Sequence, residues 1–198
     1  VIGDYAFSDC ASLRRAEFAD GIEQIGKFAF YANRNLTRLY LPSSLKTIGE
    51  QAFRSCTGLL SVLLPSTLEN VGAHAFYRCT QLTVYSDAQS VPESWDTRWN
   101  SSFRPVMLGC TLSEDGSYVV SVTINESLML NVERLSESGD SAPVLGNNRF
   151  SSPSRRGYNF SGWTTQADGT TPELTGSDIA DLPEGTTLYT VWEVETEE

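Results

Sequence analysis

The chain has 198 residues, of which 40% are hydrophobic and 11% aromatic, so it can build one full domain or two small ones. Its net charge of −11 excludes the basic surface that neutralising phosphates requires, and we expect neither nucleic acid nor an anionic membrane as a partner. Fifteen of the 25 acidic side chains, but only four of the 14 basic ones, follow residue 107, which indicates two domains of different character.

A repeat with a period of 23 residues occupies the first half of the chain. Five kinds of position recur in it: a β-branched residue before Gly, an Ala-Phe pair, a thiol or amide, a leucine, and a second aliphatic residue. Their members are Ile2, Ile25, Ile48 and Val71; Phe7, Phe30, Phe53 and Phe76; Cys10, Asn33, Cys56 and Cys79; Leu13, Leu36, Leu59 and Leu82; Ile22, Leu45, Leu68 and Val91. One unit cannot bury its own apolar side, so the repeat predicts stacked units.

Each unit changes its apolar period part-way along. The run LTRLYLP from Leu36 alternates at Leu39 and Leu41, which is typical of a short strand with one buried face. The run IGEQAFRSC from Ile48 has tighter spacing and predicts a helical or 3₁₀ turn. We therefore expect residues 1–107 to form a solenoid with a parallel β-sheet on one side, short helical or 3₁₀ turns on the other, and each Phe lying on the next.

The frame Leu59-x-x-Val62-x-Leu64 fits the leucine-rich repeat, and the consensus IGxxAFxxCxxLxxLxLPxxLxx resembles the BspA-like leucine-rich repeats of bacterial surface proteins. This resemblance covers residues 1 to about 107. It implies an extracellular location at the bacterial cell surface. It also implies adhesion, with the solenoid sheet binding a protein or glycan of the host or of a neighbouring cell.

The repeat ends after Leu82, and the segment VYSDAQSVPESWDTRWNSSFRPV resembles the closing segment of such solenoids. Trp95 and Trp99 then act as a lid, which keeps the apolar end and the open strand edge of the last unit out of water. Val1 stands in the middle of a repeat unit without a preceding methionine, so we expect this chain to be a piece of a longer protein. Since the most apolar run is short and interrupted by Pro65, we expect no membrane insertion by this segment.

The cysteines favour buried thiols over a disulfide framework. Cys10, Cys56 and Cys79 share one column with Asn33, which could not take part in a disulfide. Oxidation of Cys56 with Cys79 stays a minority alternative, because adjacent units place them within bridging distance. No Cys-x-x-Cys occurs and His74 is the only histidine, so we expect no zinc site; His74 is interpreted as a surface side chain.

Beyond Met107 the sequence predicts a small sheet domain. One strand places Tyr118, Val120, Val122 and Ile124 on one face, and a hairpin partner places Leu128, Leu130 and Val132 likewise. The runs PSRRGYNFSGWTTQADGTT and GTTLYTVWE resemble the Listeria-Bacteroides repeat, also called the internalin B type. The matching residues are Gly157, Tyr158, Phe160, Gly162 and Trp163, then Leu188, Tyr189 and Trp192. The resemblance implies that residues 108–198 form a β-rich α+β, β-grasp-like domain and serve as a stalk or spacer.

Trp163 and Trp192 could form a carbohydrate platform, but rings of this size in a small domain favour the core. No calcium loop of the D-x-D-x-D-G type occurs, and no nucleophile elbow or phosphate loop is present. We therefore expect no metal, no cofactor and no enzymatic activity; only a carboxylate pair of the glycosidase type stays open, since its separation depends on the fold.

Recognition is expected at strand positions that flank the buried leucines. These outward columns are Arg15 and Glu17, Arg38 and Tyr40, Ser61 and Leu63, and Val84 and Ser86. The first six are our candidate binding residues, because arginine and tyrosine beside an aliphatic group are typical of binding hot spots. The alternative is an exposed strand face of mixed composition in a structural spacer with no ligand of its own.

Overall fold

A computed structural model of the chain describes residues 1–124, 152–174, 182–183 and 185–196. The predicted strand at residues 128–132, with the turn before it, lies outside these residues. Residues 1–107 form a parallel β-solenoid of about four coils, as the repeat predicts. Its strands are β1 (Arg15–Glu17), β2 (Gln24–Ile25), β3 (Arg38–Tyr40), β4 (Thr47–Ile48), β5 (Ser61–Leu64), β6 (Asn70–Val71), β7 (Thr83–Ser86) and β8 (Val106–Met107).

The main sheet of the solenoid runs along one side. In it β1 pairs with β3, β5 pairs with β7 and β7 with β8, all in parallel, and β3 lies next to β5. The strands are short because the leucine-type residue at the centre of each, such as Leu39 or Val62, is the one that enters the core. A second parallel sheet, β2-β4-β6, forms from the residues before each Gly and adds an edge that we did not predict.

The Ala-Phe segments form tight turns, and the expected helical or 3₁₀ turns are wrong for the described residues. Alternate backbone amides of these segments donate to the next coil, for example Phe30 N to Ala52 O at 2.8 Å and Phe53 N to Ala75 O at 2.8 Å, and the amides between them close single turns, as Arg54 N does with Gln51 O at 3.1 Å. An amide that bonds to the next coil cannot close a helical turn within its own. Two residues of each segment, four positions apart, take the left-handed conformation instead, with φ of 55° at Phe28 and 59° at Ala32.

The phenylalanine column forms a continuous stack through the solenoid. Ring centroids lie 5.1 Å apart between Phe7 and Phe30, 5.2 Å between Phe30 and Phe53, and 5.4 Å between Phe53 and Phe76. Trp99 closes the stack in a T-shaped contact, with its ring centroid 6.5 Å from that of Phe76. Phe53 is fully buried, and the leucine columns fill the rest of the same core.

Trp95 and Trp99 pack at the end of the solenoid, where the sequence predicts a lid. Both rings are 7% exposed and meet edge to face at a centroid distance of 5.0 Å. The Trp95 indole donates to the Leu68 carbonyl over 3.1 Å, and the backbone amide of Asp96 donates to the Val71 carbonyl. The closing segment therefore bonds to the last coil as a further coil would.

Glycine at the start of each Ala-Phe segment is required by the distance between coils. A Cβ atom built on Gly49 would lie 2.6 Å from the backbone carbonyl carbon of Gly26, and one on Gly72 would lie 2.5 Å from the Glu50 amide nitrogen. Carbon atoms do not approach a backbone that closely. Any other residue at these positions would force two coils apart.

After β8 the chain forms an antiparallel sheet. Its strands are β9 (Thr111–Leu112), β10 (Val119–Thr123), β11 (Tyr158–Thr164) and β12 (Thr187–Val194), in the order β11-β12-β10-β9. A bulge between Val119 and Ser121 changes the face on which β10 places its side chains. Val122 and Ile124 are buried as expected, but Val119 replaces Tyr118 and Val120 in the core, so the expected alternation is wrong before the bulge.

Candidate functional site

The candidate residues stand in register on the outer face of the main solenoid sheet. Arg15 pairs with Arg38 and Glu17 with Tyr40 along β1 and β3. The buried residue between them is Ala16 in β1 and Leu39 in β3, so the outward direction of these four side chains follows from the alternation of the strand. The sheet geometry thus brings Arg15, Glu17, Arg38 and Tyr40 together, as the sequence predicted.

Arg15 and Glu17 are exposed and form an ion pair with each other. This hydrogen bond to Glu17 raises the pKa of Arg15 above its usual value. The Arg15 guanidinium also lies over the Tyr40 ring, 5.3 Å from its centroid. Burial raises the pKa of the Tyr40 hydroxyl, which therefore stays protonated at neutral pH. The outer face of β1 and β3 thus offers a cation, an anion and a neutral aromatic side chain.

Arg38 contacts the C-terminal sheet. Its Nη1 donates to Glu195 Oε1 over 2.6 Å, and its Nη2 donates to Asn159 Oδ1 over 3.5 Å. Arg156 approaches from the same sheet, with its Nε 3.4 Å from Glu17 Oε1. These polar contacts hold the start of β11 and the end of β12 against β1 and β3 of the solenoid.

Ser61 and Leu63 are covered by the C-terminal sheet, and the expectation that Ser61 is exposed is wrong. Ser61 is 1% exposed, and its Oγ lies 2.8 Å from Ser154 Oγ. Leu63 is half-buried and packs against a second apolar cluster, described next. The reason is that residues 152–154 and β10 lie over this part of the solenoid sheet.

The second apolar cluster is shared by the solenoid and the C-terminal sheet. Tyr85 and Met107 come from the outer face of β7 and β8. The residues of the C-terminal sheet that complete it are Val119, Val122, Ile124, Trp163 and Leu188. Burial raises the pKa of Tyr85 well above its usual range. Apolar side chains at three successive outward positions, Leu63, Tyr85 and Met107, were the sequence signal for this interface, and our sequence reading missed it.

Strand β7, the fourth strand of the main sheet, differs from the expected register. We expected Val84 and Ser86 to point outward, but Val84 belongs to the solenoid core and pairs with Val62, whereas Tyr85 pairs with Leu63. The step from Val62 to Val84 is 22 residues, one less than the 23 that separate Leu39 from Val62. A one-residue change of register exchanges the two faces of a strand, which brings Tyr85 outward.

The cysteine column holds hydrogen bonds between coils. Cys56 Sγ donates to the Phe30 carbonyl over 3.2 Å, and Cys79 Sγ donates to the Phe53 carbonyl over 3.1 Å. Asn33 takes the same place by donating to Phe7 O over 2.8 Å. All four cysteines are free thiols, and burial raises the pKa of Cys79 well above its usual value. Asn33, Cys56 and Cys79 each satisfy a carbonyl of the neighbouring coil, which explains why an amide can replace a thiol in this column.

Other candidate side chains have structural contacts. His74 is half-buried, with Nδ1 2.7 Å from Ser101 Oγ. Trp163 is 2% exposed, which confirms the expected core position. Trp192 is half-buried, and its indole donates to Thr190 Oγ1 over 2.7 Å. In the described part of the chain, no cluster of His, Cys, Asp or Glu could hold a metal ion. No helix among those residues has the length and apolar character to cross a bilayer.

Comparison with known proteins shows which repeat proteins the solenoid resembles. Residues 1–95 match the BspA type Leucine rich repeat region, in six copies. A leucine-rich repeat protein from Bacteroides ovatus is 34% identical over 46% of this chain and 22% of its own, with a TM-score of 0.39. The Leucine Rich Repeat protein of T. pallidum is 28% identical over 42% of this chain and 50% of its own, with a TM-score of 0.35.

This chain therefore spans about a fifth of the first structure and half of the second. No curated protein matches it. The resemblance read from the repeat columns is confirmed over the residues that the family covers. Over residues 1–95, the solenoid of this chain is therefore similar to the BspA type leucine-rich repeat region.

Proposed function

We propose that this chain is part of an extracellular protein of the bacterial cell surface and that its solenoid mediates adhesion. The partner is a protein or glycan of a host or neighbouring cell, and the chain has no enzymatic activity of its own. The family match supports the proposal, because repeat arrays present extended surfaces for binding. Surface labelling of the producing bacterium with an antibody against residues 1–95 tests the location.

The observation that carries the proposal is the outer face of β1 and β3 in the main solenoid sheet. Arg15 and Glu17 have side chains 41% and 33% exposed, and they lie directly beside Tyr40 and Arg38. Arginine and tyrosine are the residues that dominate binding energy in protein interfaces. Of the six candidates, Ser61 and Leu63 are covered by the C-terminal sheet. The proposed ligand contacts are therefore made by the other four residues.

Binding to an array of extracellular-matrix proteins, mucins and glycans tests this function. An Arg15→Ala, Tyr40→Ala double variant should lose the signal by about tenfold or more, while circular dichroism stays unchanged. A Lys46→Ala variant is the matched control, because Lys46 pairs with Glu69 in the neighbourhood of the second sheet. An equal loss of binding in both variants, or no loss of binding in the double variant, contradicts binding at the outer face of β1 and β3.

A second candidate function is that of a structural spacer. It is favoured by the shared cluster in which Leu63, Tyr85 and Met107 pack with Trp163 and Leu188. Such a core joins the solenoid and the following sheet rigidly, as a stalk requires. The spacer predicts no ligand in the array and one fixed elongated shape in small-angle scattering; a ligand lost in the Arg15, Tyr40 variant contradicts it.

We propose further that residues 108–198 are a β-grasp-like domain of the Listeria-Bacteroides repeat type that packs on the solenoid through the shared cluster. Its support is the pairing of the two motif strands: Phe160 of β11 pairs with Trp192 of β12, and Thr164 pairs with Tyr189. The two ring centroids of Phe160 and Trp192 lie 5.3 Å apart. A high-resolution experimental structure of residues 108–198 tests the assignment, which requires a helix packed on the antiparallel sheet.

A further inference from the structure

A cleft of about 520 Å³ opens where the solenoid meets the C-terminal sheet. Residues 18–20 and 40–43 of the solenoid form one wall, and residues 115–118, 155, 156 and 158 form the other. Clefts of roughly 300 to 1,000 Å³ at the junction of two structural units are the usual place for small ligands. The volume is that of a site for one or two sugar rings rather than for a protein surface.

Arg155 is the central side chain of the second wall. Its guanidinium carbon lies 4.1 Å from the centroid of the Tyr118 ring and 3.7 Å from that of Tyr158. Two aromatic rings thus pack on the guanidinium and fix its plane. Its N–H groups project from the edge of that plane, where a planar guanidinium binds an anion through parallel hydrogen bonds.

The other arginines around the junction already have acidic partners. Arg38 pairs with Glu195, and Arg156 and Arg15 both pair with Glu17. Within the described residues, Arg155 has no ion pair and no side-chain hydrogen bond, although it lines the cleft. A half-buried guanidinium that two aromatic rings orient beside a cleft is suited to bind an anionic group.

The facing wall offers groups of a different kind. Tyr40 provides an aromatic ring, and Asp20 and Ser43 are exposed oxygen-bearing side chains that accept hydrogen bonds from hydroxyl groups. We propose that this cleft binds an acidic saccharide, whose anionic group contacts the edge of Arg155 while its hydroxyl groups face Asp20 and Ser43. The carboxylate of a uronic or sialic acid and the sulfate of a sulfated sugar share the required chemistry.

The observations favour a sugar over the other anions. A chain with a net charge of −11 repels long polyanions such as nucleic acid, whereas a small ligand with one anionic group meets only the charges that line the cleft, Arg155 and Arg156 beside Asp20 and Asp115. An acidic peptide would leave the hydroxyl-accepting wall unused. The site is also distinct from the outer face of β1 and β3 proposed above. Arg155, Tyr118 and Tyr158 lie on the C-terminal side of the cleft, and only Tyr40 is common to both sites.

Calorimetry on the full 198-residue chain tests the proposal with four probes: sialyllactose, its methyl ester, a sulfated lactose and plain lactose. We expect an acidic probe to bind at least about tenfold more tightly than the uncharged sugars. The methyl ester is the decisive control, because it removes the charge while the protein stays unaltered. The sulfated probe separates a sulfate from a carboxylate as the anion.

Two variants locate the site. Arg155→Gln should weaken the acidic probe by about tenfold or more, and Arg155→Lys should not restore it, since an ammonium cannot present a planar fork. Arg98→Gln, in the lid region beside Asp96, should leave binding unchanged. An Arg15→Ala variant should keep the sugar while losing the macromolecular ligand, so the two proposals fail separately. No binding of any acidic probe, equal binding of acid and ester, or an unchanged Arg155→Gln variant would overturn the assignment, as would binding of an acidic peptide alone.

Discussion

Arg38 in β3 and Glu195 directly after β12 meet at 2.6 Å, although they lie 157 positions apart in sequence. The contact shows that the two sheets form one folded unit at this junction. It also places an acidic group from the C-terminal sheet on a residue that we had expected to face a ligand. Both side chains are 32% exposed, so solvent still reaches the pair.

Because the Arg38–Glu195 pair is partly exposed, its energetic coupling should be small. A double-mutant cycle with Arg38→Ala and Glu195→Ala should give about 0.5 kcal/mol in urea unfolding, and the value should fall as salt is raised. Arg34→Ala, combined with Glu195→Ala, should give no coupling. A coupling near zero at low salt would contradict the contact.

Removal of Leu63 should loosen the junction. Leu63→Ala takes apolar area out of the cluster that joins β5 to the C-terminal sheet, at an expected cost of roughly 1–2 kcal/mol. Leu60→Ala, three residues earlier and 40% exposed, should cost less than about 0.5 kcal/mol. Urea unfolding followed by tryptophan fluorescence measures both. Equal effects in the two variants would mean that the sheet does not pack on β5.

Position in the phenylalanine stack should decide the cost of truncation. Phe53 is 0% exposed and has a ring on either side, so Phe53→Ala should cost about 3–5 kcal/mol. Phe7 is 41% exposed and stacks on Phe30 alone, so Phe7→Ala should cost about 1 kcal/mol. Thermal unfolding of the two variants gives the comparison, and a larger loss at Phe7 would contradict a continuous core.

Thiol labelling should separate the cysteines by burial. Cys10 is exposed and should react under native conditions, whereas the buried Cys56, Cys79 and Cys110 should react only after unfolding. Burial raises the pKa of Cys110 to about 12, so the folded chain holds this proton more tightly than the unfolded chain does. Stability should therefore fall as pH rises from about 8.5 towards 12, and a Cys110→Ala variant should lose part of that dependence. Fast native labelling of more than one thiol would contradict the buried positions.

The solenoid could be predicted from the sequence because its contacts repeat. Leu39 and Val62 occupy equivalent positions one period apart, and equivalent residues of stacked units must lie on each other. The turns could not be predicted in the same way. Phe28 and Gln51 adopt positive φ although neither is glycine, and the bond that stabilises this, such as Phe28 N to Glu50 O at 3.0 Å, comes from another coil. The spacing of residues within one unit does not reveal this hydrogen bond between coils.

The candidate site was predicted only in part for a related reason. Alternation shows that Ser61 and Tyr40 leave the strand on the outer face, but it does not show what covers them. Tyr85 was assigned to the wrong face because the last coil is one residue shorter, and this misassignment hid the apolar surface on which the C-terminal sheet packs. Arg155 was not singled out, since its two ring contacts depend on that packing.

The close approach of coils at Gly49 and Gly72 has a consequence for how such genes change over time. Each coil presents the same glycine backbone to its neighbour, so the surface that a coil needs is identical at every level. Unequal recombination between equivalent codons removes or duplicates 23 residues and rejoins like with like. Lineages can thus lengthen or shorten this protein by whole coils, whereas an insertion of any other length would place a side chain where only a hydrogen atom fits.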